Sequence, residues 1–484
     1  MLLTALLLPL VGAIPLFLFR FEKRRLRDLY ILLITLATSA LVARCLLTPG
    51  DHQFTLLRVT DSLTISFRLD GLGKVFAGLV AFLWPLATLY GLEYMRHEGG
   101  ERVFFGYYLL SYFATLGVAF SEDLMTLYVF YELLTLATLP LVMHGMHAGN
   151  VYAGRKYVYY SLGGAAMGFM ALVTLVYYGG GSDFLYGGNP ALLSAPAGVL
   201  LPMFVIGFFG FATKAAVFPM HAWLPTASIA PTPVTALLHA VAVVKAGAFA
   251  VMRLSFYCYG PELLRGTWAQ AVCVIAAGAT IIIGSAMAVR EQHLKRRLAY
   301  STMSNLSYVL LGTMLLTPEG LQGGLMHMVF HALMKITLFS CVGAIMVQTG
   351  KSYVADIRGL SRRMPFVCAV FLFCAVELVG IPPFIGFQSK WALAVAGLGT
   401  GTGLGVFAMG ALIISAVLTA VYLLTPALSA YALPLEPTVH LEERSYDPGA
   451  YMKIALGLLC VTMLILSFYS QPLTRFLQTV ALGG

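Results

Sequence analysis

Apolar runs of about twenty residues follow one another along almost the whole chain, separated by short polar loops. A bilayer core about 30 Å thick takes about 20 apolar residues per helical crossing, so each run is long enough to span a membrane. Fourteen candidate spans lie near 1–20, 29–48, 71–94, 103–121, 124–143, 156–178, 199–224, 231–257, 268–289, 298–316, 320–348, 365–394, 403–433 and 450–470. Only 11% of the 484 residues are charged, and mean hydropathy is +0.85. Soluble domains carry about 25% charged residues, and so small a supply does not cover a soluble surface of this size. The expectation is an all-α polytopic membrane protein without a soluble domain of appreciable size. The run from Met1 to Phe19 has its basic residues after it rather than before, and is expected to be the first transmembrane helix, not a signal peptide.

The net charge of +9 is carried by loops on one side. Arg20, Lys23, Arg24, Arg25 and Arg27 follow span 1, and Arg96 and Arg102 follow span 3. Arg155 and Lys156 follow span 5, Arg290, Lys295, Arg296 and Arg297 span 9, Lys351, Arg358, Arg362 and Arg363 span 11, and Arg444 span 13. The opposite loops offer Glu122, Asp123, a Gly-rich stretch from Gly179 to Gly198, of which 179–188 reads as a flexible external loop, and Glu319. By the positive-inside rule the basic side is cytoplasmic and both termini are external. The basic residues therefore serve topology, and a nucleic-acid partner is not expected. The seven cysteines are scattered, mostly in apolar runs, with no CxxC pair. They read as small buried hydrophobes rather than as a disulfide framework, a metal site or a cluster site. No P-loop, catalytic carboxylate pair or nucleophile elbow is present, so no cofactor and no catalytic residue are expected on this chain.

The charges inside the apolar spans are the informative ones: Glu132, Lys214, Lys245, Lys335, Glu377 and Lys390, accompanied by His239, His327 and His331. A lysine at a helix centre costs about 2.5–3.5 kcal/mol on insertion scales, so four facing lipid would cost on the order of 10–14 kcal/mol. They must face a polar interior, as satisfied ion pairs or as an ion pathway. The pathway is the stronger reading, because the groups are many and mostly basic. His327, His331 and Lys335 are four apart, each step turning only about 40° and rising about 6 Å, which makes one titratable stripe roughly 12 Å long. His239 and Lys245 are six apart, about 120° around the helix, and address different neighbours.

Two spans are interrupted. GFATKAAVFPMHAWLPTA carries Pro219 and Pro225, and ELVGIPPFIGFQSKW carries Pro382 and Pro383. Proline removes a backbone donor, and a break at membrane depth is tolerated only beside protein or water. Lys214 lies five residues before Pro219, and Glu377 five before Pro382. A pair of interrupted spans points to inverted repeats of the transporter kind.

These motifs resemble a known family: the antiporter-like subunits of respiratory complex I, the large subunits of Mrp cation/proton antiporters and their homologues in membrane-bound hydrogenases. The resemblance rests on TLYVFYELLTLATLPLV (126–142), FATKAAVFPMHAWLPTASIAPTPVTALLHAVAVVKAGAF (211–249), HMVFHALMKITLF (327–339) and GIPPFIGFQSKW (380–391), over the central two-thirds of the chain. It implies fourteen helices, with N-terminal helices in 1–102, inverted five-helix repeats in 103–257 and 258–433 (spans 4–8 and 9–13), and a last helix in 434–484. It also implies a hydrated axis in which Glu132 and Lys214 form a switchable ion pair, followed by His239, Lys245, the His327–His331–Lys335 relay and Lys390. Three positions depart from the family pattern. Tyr131 stands where Trp is common, Thr226 where Asp usually follows WLP, and Glu377 is an extra acid. Glu377 is expected to couple to Lys335 or Lys390 at about 4–6 Å; the alternative is a neutral carboxyl hydrogen-bonded to carbonyls freed at the break. The chain ends soon after span 14, without the long lateral helix of the largest complex I member.

The resemblance implies a proton-translocating, non-catalytic subunit of a redox-driven complex I-like or energy-converting hydrogenase complex. Its partners would be other membrane subunits, homologous antiporter-like subunits among them, and a soluble redox module, in the inner or plasma membrane. Alternatives are the large subunit of an Mrp-type antiporter that exchanges sodium ions for protons and the membrane subunit of an inorganic-carbon uptake complex. The VVKAGAF wording and Lys390 favour the Mrp and hydrogenase branch.

Overall fold

A computed structural model of the chain describes residues 1–48, 50, 52–58, 60, 63–433 and 446–484. Arg444, and the part of the segment 434–484 that precedes Tyr446, lie outside the described residues. Helix accounts for 78% of the structure. The first helices are α1 (Leu2–Leu18), α2 (Arg24–Leu47), α3 (Gly71–Tyr94), α4 (Glu101–Phe120), α5 (Leu124–Val142) and α6 (Ala148–Gly179). The seventh expected span is divided into α7 (Ala197–Ala212) and α8 (Trp223–Ala227). The eighth is divided into α9 (Thr232–Ala236) and α10 (Val243–Arg253), with π-helical turns at Leu237–Val241 and Leu254–Tyr259. A short α11 (Pro261–Leu264) leads into α12 (Trp268–Arg290), α13 (Leu294–Met314) and α14 (Pro318–Thr349). The twelfth expected span is divided into α15 (Pro365–Val379) and α16 (Ile385–Gly399). Then come α17 (Gly403–Tyr431), α18 (Ala450–Phe468) and α19 (Gln471–Ala481). Among the described residues ten helical stretches are long and apolar enough to cross a membrane, and α1, α7 and α15 are shorter apolar helices.

Burial sorts these helices into inner and outer. The apolar windows of Thr232–Tyr259 and of α14 are wholly buried, whereas those of α2, α17 and α18 are 28%, 33% and 33% buried. The outer helices present Leu, Ile and Val outward to lipid, and the two inner stretches, which carry His239, Lys245, His327, His331 and Lys335, are wrapped on all sides. Helix starts are fixed by side-chain caps that use otherwise unpaired amides. Asp70 accepts from the Gly73 amide at 2.8 Å and Asp123 from the Thr126 amide at 2.8 Å.

Two sequence expectations need correction, and two elements lie where the sequence reading named none. A two-stranded antiparallel hairpin, β1 (Gln53–Arg58) and β2 (Thr64–Arg68), lies between α2 and α3, in a stretch too short and too polar to register against the spans. Phe54 and Phe67 stack across it at 5.0 Å, and Phe67 packs on Phe130 of α5. The Gly-rich stretch is a tethered strap rather than a flexible loop. Its Leu185, Gly187 and Asn189 amides donate to the carbonyls of Tyr257, Phe256 and Cys258, each at 2.9 Å. Gly188 (φ +94°) and Gly260 (φ +85°) let the two backbones touch where a Cβ on either would collide. Lys295 and Arg297, expected in a loop, belong to α13 and are buried. Lys295 donates to the Ala230 carbonyl at 2.8 Å, and Arg297 to the Val289 and Glu291 carbonyls at the end of α12, where a cation suits the helix dipole. Finally, α19 follows α18 almost directly, with Leu477, Val480 and Ala481 buried on one face.

Candidate functional site

The nine titratable residues singled out in the sequence fall on α5, the two broken spans, the α9–α10 span and α14. At the first break, α7 ends at Ala212 and a turn carries Lys214 into the interior, where it is fully buried. Its Nζ lies 3.9 Å from Oε1 of Glu132 on α5 and donates to the Tyr131 carbonyl. The same ammonium sits 3.3 Å from the centroid of the Tyr131 ring, a cation–π position. The Tyr131 hydroxyl donates to the Phe211 carbonyl at 2.9 Å, which ties α5 to the end of α7. Tyr131, notable in the sequence only as a departure from Trp, thus contacts the lysine in two ways.

The α9–α10 span is interrupted by its π-helical turn, and Ala242 leaves the helical region of backbone space (φ −97°, ψ −85°). Such turns free backbone carbonyls. Lys245 uses one, donating from Nζ to the His239 carbonyl at 3.0 Å, and its Nζ also lies 2.9 Å from Nδ1 of His331 on α14. The His239 ring packs on Phe339 at 4.6 Å, with both nitrogens unpartnered among the described residues. His331 and His327 stack at 5.8 Å. His327 Nδ1 lies 3.0 Å from the Ser389 hydroxyl, and its ring stacks on Tyr308 at 4.9 Å. Ser389 precedes Lys390 on α16, and the Lys390 ammonium lies 5.9 Å from the Tyr308 ring centroid. A buried line of contacts therefore runs Lys245–His331–His327–Ser389, with Lys390 the next residue along α16. Buried polar atoms almost always have a protein or water partner, yet Nε2 of both His327 and His331 has none among the described residues.

Two residues meet partners that the sequence does not name. Lys335 shares the α14 stripe but turns to α13, donating to the Ser301 hydroxyl at 2.6 Å and the Leu298 carbonyl at 3.2 Å. Ser301 in turn meets the Tyr422 hydroxyl at 2.8 Å. Lys335 thus opens a hydroxyl branch rather than lengthening the histidine line. Glu377 makes no ion pair with Lys335 or Lys390 within 4.0 Å. Its Oε2 accepts from the Ile385 amide at 3.1 Å and its Oε1 from the Ser467 hydroxyl at 3.0 Å. It caps the start of α16. One partner is an amide freed on the far side of the break and the other a hydroxyl on α18, and neither is one of the freed carbonyls named in the alternative. Lys390 takes those carbonyls, donating to Leu378 and Val379 at 2.7 and 2.9 Å.

Two groups were missed. Arg253, fully buried at the end of α10, forms a two-pronged pair with Asp70 at 2.5 and 2.6 Å, with the Phe184, Phe249 and Tyr257 rings around its guanidinium. An Arg at a helix end reads as a loop charge unless the strap that covers it is known. His221, between the two halves of the first break, lines a cavity of about 580 Å³ with Lys156, Thr226, Glu291 and Arg296. Lys156 donates to the Thr226 hydroxyl at 3.1 Å. Among the described residues no group of His, Cys, Asp and Glu could hold a metal ion, and six of the seven cysteines are buried and free.

A family model described as the membrane region of NADH:quinone oxidoreductase and Mrp antiporters matches residues 121–419. NADH-quinone oxidoreductase subunit N from Desulforudis audaxviator is 33% identical over 407 residues, which cover 80% of this chain and 76% of that subunit. A Na(+)/H(+) antiporter subunit from Alkalihalophilus pseudofirmus is 33% identical over 364 residues, covering 71% of this chain. The chain spans only 44% of that antiporter protein. In the solved structure of respiratory complex I from Thermus thermophilus with bound NADH, one chain superposes with a TM-score of 0.82 at 26% identity, over 99% of this chain and 98% of that one.

Proposed function

The chain belongs to the family of membrane subunits shared by NADH:quinone oxidoreductases and Mrp antiporters, and from that premise we propose that it moves protons across the membrane along its buried basic axis. The observation that carries this reading is the contact of the Lys245 ammonium with His331 Nδ1 at 2.9 Å. It joins the α9–α10 span to α14, the two helical stretches most completely enclosed by the rest of the chain. An ammonium facing an imidazole nitrogen is a ready proton donor and acceptor, and histidine's reference proton affinity near neutrality suits a middle step.

Proton movement would begin at Glu132 and Lys214. A carboxylate beside a buried ammonium favours the charged lysine, and separating the two favours release of its proton. Lys245 gives a proton to His331 Nδ1. From there the proton reaches His327 and Lys390 through the Ser389 hydroxyl and water bridging the free Nε2 atoms. His239 and Lys335 would serve as side stations on the same axis. Direction would be set by a partner subunit. The orientation with basic loops inside and both termini external, location in the plasma membrane, and the inverted repeats in 103–257 and 258–433 belong to the same proposal. So does assembly with homologous subunits and a redox module, with no cofactor held by this chain.

The test is reconstitution of the intact complex in proteoliposomes, with Lys245→Ala and His331→Ala. Each should abolish proton movement while the protein stays inserted and assembled. Wild-type rates in either would end the reading. A second reading, exchange of a cation for protons, is favoured by the identity to the Na(+)/H(+) antiporter protein. It predicts that an imposed sodium gradient drives proton movement without any redox substrate.

A further inference from the structure

Two cavities lie along α3, one near each end, and residues of α2 and α18, which both pack on α3, line each of them, so that together they mark out a furrow. At the C-terminal end of α3 it widens to a cavity of about 660 Å³ whose lining includes Arg25, Leu29, Leu32, Leu89, Arg96 and Tyr451. Asp28 and Glu93 line the same cavity, and both carboxylates are already engaged. Glu93 accepts the Gly449, Tyr451 and Met452 amides at the start of α18, Asp28 pairs with Arg27, and Arg24 and Arg27 pair with Glu101. Arg25 has no partner among the described residues. Arg96 reaches Asp28 only at 3.9 Å and lies over the Tyr451 ring at 5.4 Å.

The rims below these arginines are apolar and face outward: Leu29 and Leu33 on α2, Ile454 and Leu458 on α18, each about half exposed. At the other end of α3 the furrow opens again into an apolar cavity of about 410 Å³, with Lys74 at its mouth and Val329 and Leu333 of α14 in its wall. Lys74 also has no charged partner among the described residues. From Lys74 to Arg96 is about 33 Å along the helix, close to the thickness of a bilayer core. Cations at both ends with lipid-facing leucines between them match the headgroup and acyl layers of a membrane. A partner helix would have to supply anions at both interfaces.

We propose that the furrow is a binding site for an anionic diacyl phospholipid, with the phosphate held by Arg25 and Arg96 and an acyl chain laid along Leu29, Leu32 and Leu89. Arginine suits the phosphate because its planar fork binds two oxygens at once, and basic pockets between transmembrane helices favour acidic headgroups. Tyr451 supplies the interfacial aromatic.

The experiment is native mass spectrometry of the purified full chain, stripped of lipid and titrated with phosphatidylglycerol, phosphatidylcholine or inorganic phosphate. Phosphatidylglycerol should be retained about tenfold better than phosphatidylcholine, and Arg25→Gln with Arg96→Gln should erase that preference. Arg20→Gln, an exposed loop arginine, should leave it intact. Leu29→Trp fills the furrow without touching charge and should lower retention of both lipids. Equal phosphatidylglycerol retention by the double variant would overturn the site, and displacement by inorganic phosphate alone would make it a phosphate site. A cysteine at Leu29 that cross-links quantitatively to another subunit in native membranes would assign the furrow to protein instead.

Discussion

The two broken helices use the same pieces, a lysine, a glutamate and prolines, in opposite ways. At the first break the charged groups meet each other: Lys214 faces Glu132 across the α5 interface at 3.9 Å. At the second they meet the broken backbone. Glu377 takes the amides that open α16, and Lys390 takes the carbonyls that close α15. Carboxylates suit helix N-termini and cations suit C-termini, so the second break is a satisfied joint. The first is a pair whose members can part, since Lys214 has the Tyr131 carbonyl and ring to fall back on. Equal spacing of charge and proline in sequence therefore does not mean equal roles.

The largest effect expected is at the first break. Lys214→Ala and Glu132→Ala should each abolish proton movement, more than about tenfold, without loss of insertion, as measured in proteoliposomes of the assembled complex. If either pumps like the wild type, the contrast between switch and joint disappears.

The second break should respond in stability instead. Glu377→Gln keeps the shape of the cap but weakens a charge-assisted contact to the α16 amides, and loss of a cap costs about 1 kcal/mol. The thermal midpoint in detergent should fall while transport per folded molecule stays within about twofold. A transport defect at unchanged midpoint would restore Glu377 to the pathway and make the two breaks equivalent.

A smaller change tests the orientation on which the direction of transport depends. Cysteines at the exposed positions Gln292 and Ala355, in the loops after α12 and α14, should label only from the cytoplasmic side. Labelling from outside would invert the molecule while leaving the comparison of the breaks standing.

Much of this is legible in the sequence because lipid leaves few options. A lysine in an apolar run must be inside, and a proline at that depth must sit at a break, so the residue pattern alone places Lys214, Lys245, Lys335 and Lys390 in the interior. What it does not disclose is which neighbour each group meets. Lys245 and His331 are 86 residues apart, and their contact follows from a π-helical turn that no residue pattern announces. Lys335 turns from its own stripe because α13 offers Ser301. Nor does the sequence disclose the partners of Glu377, because the Ile385 amide is freed only where the helix breaks and Ser467 reaches the carboxylate from α18.

Tyr131 offers the finest test of the first break. Its ring lies under the Lys214 ammonium, and its hydroxyl donates to Phe211 O. Tyr131→Phe removes only the hydroxyl; the Phe211 carbonyl still accepts from the Lys214 amide at 3.3 Å, so the loss should be about 0.5–1.5 kcal/mol. The π-face that receives the ammonium remains, and transport should be close to wild type. Tyr131→Ala removes the face as well and leaves a cavity beside a buried cation, a larger stability loss of about 3–5 kcal/mol by analogy with other aromatic truncations. It also takes away the ring that holds Lys214 when Glu132 is apart, so transport should fall with it. If Phe proves as damaging to transport as Ala, the hydroxyl, not the ring, holds the first break ready to open.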